Sequence, residues 1–168
     1  SVLVCGITLV VSLFFGAMAA FAIARMRWKL SEAAHTFFLI GMMVPVHCIL
    51  IPLFVRFAGL GLTNSRVGLM IPYITFSLPM TIFLLTGFFK SMPGELFEAA
   101  AIDGATPWQA DRYITLPLMR NVCGTCVTLA SVAMVSQFDI IYMTTKGGPG
   151  TSTLNLPIYL YKAATLEN

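Results

Sequence analysis

Long uncharged runs alternate with short polar ones along this chain. No charged side chain occurs from Ser1 to Ala24, from Thr36 to Val55 or from Val67 to Phe89, and the run from Asn121 to Thr145 holds only Asp139. Each run is about 20 residues or longer, and a helix rising about 1.5 Å per residue needs about 20 to cross a bilayer core about 30 Å thick. Lipid offers no water to backbone N–H and C=O groups, so segments that cross it must be helical. The pattern predicts an all-α, polytopic transmembrane bundle with four spans, at 2–24, 36–55, 67–89 and 121–144, plus an incomplete final segment. A single transmembrane domain over 1–168 is expected, with one long polar loop at 90–120.

The spans are not simple anchors. Pro45, Pro52, Pro72 and Pro79 lie inside two of them, and each removes a backbone donor and invites a kink. Gly16 and Ala20 form a small-xxx-small pair that lets helices approach closely. His47 and Asp139 are the ionisable side chains inside spans. His47 is expected to be neutral and hydrogen-bonded to a neighbouring helix, and Asp139 to lie near the outer end of the fourth span.

Composition removes the main alternative. Only 10% of residues are charged and 58% are hydrophobic, against about 25% charged in an ordinary soluble domain. Such a chain cannot cover itself with a charged surface. The net charge of +3 does not point to nucleic acid, because Lys and Arg are scattered over short loops and form no stripe. Cys123 and Cys126 have C-x-x-C spacing, but within an apolar run and without a nearby His they read as small core residues rather than a zinc or redox pair.

Arg25, Arg27 and Lys29 surround Trp28 between the first two spans, which marks a cytoplasmic end. Alternation then places 56–66 outside, 90–120 inside and 145–168 outside. The chain opens on Ser1 without a basic lead-in, which argues against a signal peptide, and is expected to be a fragment of a longer protein.

The polar loop carries its own punctuation. Pro93 and Gly94 leave the third span, and an Ala-rich helix should run from about Glu95 to Asp103. Gly104 suits the left-handed position that ends a helix. Thr106, Pro107 and Gln109 then form a capping box with proline at N1, opening a second short helix that Leu116-Pro117 should break. Phe97, Ala100 and Ala101 give the first helix a narrow apolar face. That helix is too short to stand alone in water and must pack either in a groove on another protein or on its own bundle.

Glu98-Ala99-Ala100, three residues, Gly104, nine residues, then Ile114-x-Leu116-Pro117 resembles, without a gap, the EAA signature of permease subunits of bacterial ABC importers. The wording EAAAIDGAT and ITLP is similar to the carbohydrate-uptake branch, as are segments 20–28, 42–54, 59–73 and 138–153. By that alignment the first and last spans of a six-span subunit are missing. The resemblance implies the type I importer permease fold in a bacterial cytoplasmic (inner) membrane, and transport of a sugar or oligosaccharide without enzymatic activity. It further implies that Glu98, Ala99, Ala100, Asp103, Gly104, Ile114, Leu116 and Pro117 form a coupling element for a cytoplasmic ATPase dimer. A second permease subunit, an extracytoplasmic solute-binding protein and membrane lipid are the other expected partners, and nucleic acid is not one. No G-x-x-x-x-G-K-[ST] phosphate loop occurs in the sequence, so no cofactor is expected in this chain and ATP is used by the partner. Phe138 and Asp139 resemble the outer part of sugar permeases and are expected along the substrate path, with Tyr73, Tyr142 and Tyr159 as candidate sugar-stacking rings. An importer for an amino acid, polyamine or ion is the nearest alternative. A channel would need a repeated polar ring, and an intramembrane enzyme would need convergent ionisable groups that the sequence lacks.

Overall fold

The computed structural model describes residues 2–26 and 28–166. Arg27 of the basic cluster and the terminal Ser1, Glu167 and Asn168 lie outside them. Among the described residues there are helices and turns and no strand. They are α1 (Val2–Arg25), α2 (Ser31–Met43), α3 (Val46–Gly59), α4 (Arg66–Ser91), α5 (Glu95–Ile102), α6 (Pro107–Ala110), α7 (Leu116–Ser136), α8 (Asp139–Thr144) and α9 (Leu156–Leu166). A π-helical turn, Asp111–Thr115, fuses α6 to α7, so that Pro107–Ser136 is one 30-residue helix.

Among the described residues three helices have the length and apolar character to cross a membrane: α1, α4 and Pro107–Ser136. The second expected span, 36–55, differs from the single helix anticipated. Its chain breaks between α2 and α3, which meet at 91°. The cause is local. Val44 precedes Pro45, and the proline ring pushes it out of the helical region to φ −72°, ψ 116°. Pro52, Pro72 and Pro79 lie inside helices that continue past them.

α1 and α4 form the spine of the bundle. The buried positions of α1 include Val4, Thr8, Ser12, Gly16 and Ala20, one every four residues. Small side chains at this spacing let α4 approach closely: a Cβ on Gly16 would stand 2.6 Å from Cγ2 of Thr81. Ser12 and Ser77 hydroxyls, 2.6 Å apart, bridge the same seam. Two apolar clusters cap the spine. One joins Ala20, Leu85, Phe89, Met92, Met119 and Cys126, and the other joins Val4, Leu69, Tyr73, Met134, Ile140, Ile141 and Ile158. Cys126 is buried in the first and Cys123 packs against it, as core residues do.

The last expected span also differs from expectation. It was to end at 144, but α7 stops at Ser136 because Gln137 is extended, and the chain restarts as α8. No proline or glycine signals this stop. Instead the Asn155 side chain donates to the carbonyls of Val135 (3.1 Å) and Gln137, groups that a helix end leaves free. The Asn155 Oδ1 accepts from Ile158 N at the start of α9, so one side chain joins three segments.

Candidate functional site

The polar loop forms helix, turn, helix at the end of the bundle where α1 and α4 finish. α5 ends in a hydrogen-bonded motif set by Gly104, whose φ of +79° is the left-handed conformation that glycine adopts freely. Ala105 N donates to Ala100 O (2.9 Å) and Gly104 N to Ala101 O (3.1 Å), the paired bonds of a Schellman turn. Two residues later the expected capping box is present: Gln109 N donates to Thr106 Oγ1 (3.4 Å) and Thr106 N to Gln109 Oε1 (2.7 Å). These local bonds fix the angle between the two helices without help from the rest of the bundle.

Leu116-Pro117 does not break the second helix. Proline lacks the N–H and its ring collides with the carbonyl four residues back, so the preceding turn widens. The Leu116 N–H accordingly reaches back five residues to Asp111 O, and Thr115 Oγ1 donates to Asp111 Oδ1 at 3.0 Å. Ile114 is half-buried in this turn, while Leu116 and Pro117 are exposed.

α5 presents two faces. Phe97 and Ala100 turn towards the bundle and are half-buried, whereas Ala101, assigned by spacing to the same apolar face, is exposed. Phe97 packs against the cluster of Ala20, Leu85, Phe89 and Met92. The other face carries Glu95, Glu98, Ala99 and Ile102, at i, i+3, i+4 and i+7, all exposed. Ile102 is 86% exposed and Trp108, beyond the turn, 70%. Such apolar exposure beside a helix of small residues is what the sequence alone did not flag. Glu98 makes no ion pair within the described residues, and Asp103 caps the helix with its backbone.

At the far end the structure brings together residues that the sequence kept apart. His47 Nδ1 lies 3.7 Å from Asp139 Oδ2, so His47 meets a carboxylate of α8. Phe138 stacks on Tyr142 with centroids 5.2 Å apart, and Tyr161, not singled out in the sequence, closes edge-on against both. Tyr73 is buried with its hydroxyl directed at Met134 O, and Tyr159 is exposed apart from the triad. A cleft of about 310 Å³ opens between α4 and α7, lined by Tyr73, Phe76, Ser77, Met80, Ala130 and Gln137 among others. Gln137 and Ile140 reach it; Phe138 and Asp139 stand outside it. The glycine-rich loop that follows is tied through Thr153, whose hydroxyl donates to Gly148 O (2.7 Å) and lies 2.8 Å from Thr145 Oγ1. Asn64 N donates to Thr144 O (2.9 Å), binding the α3–α4 turn to the same knot.

Residues 12–165 match the family described as "Binding-protein-dependent transport system inner membrane component". The chain belongs to that family. Family membership makes it a multi-pass inner-membrane permease component, consistent with its apolar helices. It is 38% identical over 120 residues to the diacetylchitobiose uptake system permease protein NgcG of Streptomyces coelicolor, covering 71% of this chain and 40% of that protein. It is 41% identical over 112 residues to the trehalose transport system permease protein SugB of Mycobacterium tuberculosis, covering 67% and 41%. A putative ABC transporter permease of a Caldicellulosiruptor species is 34% identical over 163 residues, 97% of this chain and 59% of that one. The chain thus spans about half the length of the relatives it matches. The structure superposes on a chain of a bacterial ABC transporter that imports the polysaccharide alginate, with a TM-score of 0.76 over 99% of this chain and 57% of that one. At 23% identity this likeness establishes the permease fold alone.

Proposed function

We propose that this chain is the membrane-spanning part of a permease subunit in an ATP-driven importer, taking up a sugar or oligosaccharide delivered by a binding protein. The observation that carries the reading is the outward face of α5. Glu95, Glu98, Ala99 and Ile102 are exposed on a helix whose end is fixed by the Gly104 turn and the Thr106 cap. A rigid, small-residue helix with a protruding isoleucine and carboxylates that form no ion pair among the described residues suits a groove on a cytoplasmic ATPase. Ala99 lets the backbone sit deep, Ile102 fills an apolar pocket, and Glu98 meets a basic or polar group. Asp103 and Gly104 shape the end of this element, and Ile114, Leu116 and Pro117 join it to α7. ATP is bound and spent by the partner, not by this chain.

The sugar assignment draws on the relatives, whose names specify diacetylchitobiose and trehalose. The knot around Thr153 faces away from α5 and suits contact with the binding protein, and a second permease completes the path beside the α4–α7 cleft. The test is crosslinking from Ala99→Cys to the co-expressed ATPase in the assembled complex. A crosslink that changes with nucleotide is expected; its absence from an intact complex would sink the docking assignment.

A further inference from the structure

Arg25 ends α1 beside α5, and its guanidinium carbon lies 3.8 Å above the centre of the Phe97 ring. Nη2 of the same side chain points at the Met92 sulfur, 4.0 Å away. Both Arg25 and Phe97 are half-buried, so the cation stacks on the ring face in partly desolvated surroundings, where this attraction is strongest. Phe97 is the α5 side chain in the apolar cluster that unites α1, α4 and α7. The eight residues of α5 are too few to hold a position by themselves. The Schellman turn and capping box set how α5 meets α6, but they do not set where α5 sits on the bundle. That placement falls to Phe97 and to the guanidinium laid across it.

We infer that Arg25 is a positioning residue that clamps α5 to the end of α1, so that a displacement of α5 moves α1 directly. This rests on α5 being the ATPase-docking element. Two features make α1 suited to carry such a movement. It has no internal proline, whereas α4 carries Pro72 and Pro79 within its length, where a helix bends more readily. It is also seated on α4 through the four-residue stripe from Val4 to Ala20, with no room at Gly16 for slippage past Thr81. A push on α5 therefore reaches the far-end cluster at Val4 through a continuous helix. The planar guanidinium stacks where an ammonium would not, so lysine is a poor replacement here.

The experiment uses the full-length subunit assembled with its ATPase in lipid nanodiscs. Arg25→Met is expected to raise amide exchange in residues 95–102 about two- to fivefold, with Arg25→Lys between it and wild type. The same variant should consume more ATP per solute imported, and combining it with Phe97→Leu should add nothing to the effect of Phe97→Leu alone. Unchanged exchange in Arg25→Met, or additive effects in the pair, overturns the clamp. If Ala99→Cys still crosslinks in those samples, the docking assignment survives that failure. If the crosslink itself is absent, both fall together.

Discussion

His47 Nδ1 on α3 and Asp139 Oδ2 on α8 stand 3.7 Å apart, the one approach of a histidine, lysine or arginine to a carboxylate found within the described residues. Two side chains that hydropathy assigns to separate spans share one site because α3 turns 91° away from α2 at Val44-Pro45. Both side chains are substantially uncovered by the rest of the bundle, at 69% and 45%. A double-mutant cycle of His47→Leu and Asp139→Asn should therefore give a coupling of about 0.2–1 kcal/mol in thermal unfolding, falling as salt is added. A coupling well above that range would mean that the pair is shielded in the intact subunit.

Gly104→Leu should abolish uptake while the subunit still inserts and accumulates. Open space surrounds Gly104, so no clash opposes the new side chain. Only its φ of +79° resists, at about 1–2 kcal/mol for a residue with a Cβ. Gly104→Asn should retain partial uptake, since asparagine tolerates this conformation. Wild-type uptake by the leucine variant would show that the turn has no such role.

Gly16→Leu should destabilise the spine. The added side chain meets Thr81 across the α1–α4 seam, and overpacking of this kind costs about 1–3 kcal/mol. Gly16→Ala should cost less, because a single methyl displaces Thr81 less than a leucine side chain does. The midpoint of unfolding in detergent reads the difference. Equal midpoints for wild type and the leucine variant would mean that the helices separate freely.

Thr106→Ala removes the hydroxyl that accepts from Gln109 N and should cost about 0.5–2 kcal/mol at the start of Pro107–Ser136. Faster amide exchange is expected at residues 108–110 and not in α7 beyond the π-turn. Uniform loosening along α7 would contradict the local character of the cap.

What was legible in the sequence was whatever a short window determines. Gly104, Thr106 and Gln109 announce their turn and cap because each bond spans a few residues, and the structure holds them as expected. The uncharged runs announce α1 and α4 because length and polarity suffice. Hydropathy failed where both sides of a break are apolar: nothing between Thr36 and Val55 changes character, so only Val44-Pro45 marks the corner. At Ser136 even that signal is absent, since the stop depends on Asn155 reaching back from a later segment. Arg25 reads as one member of a basic cluster because its ring partner lies beyond three intervening helices. Pro117 was the reverse case. Its chemistry is plain in the sequence, but the remedy, a widened turn, is not.

That widened turn has a geometric result. A π-turn carries one residue more than the α-helix would, and one residue is about 100° of rotation about the helix axis. The side chains before Asp111 and those after Thr115 are therefore out of phase with each other along a single rod. Trp108 and the capped turn point where they do because of that offset, not because of the bundle face that Met119 and Cys126 occupy. Deleting one residue from 111–115 together with Pro117→Ala, which removes the need for the wide turn, would leave the rod helical and swing its loop end by about a quarter turn. The azimuth of the capped turn that opens this rod is thus written in a residue count.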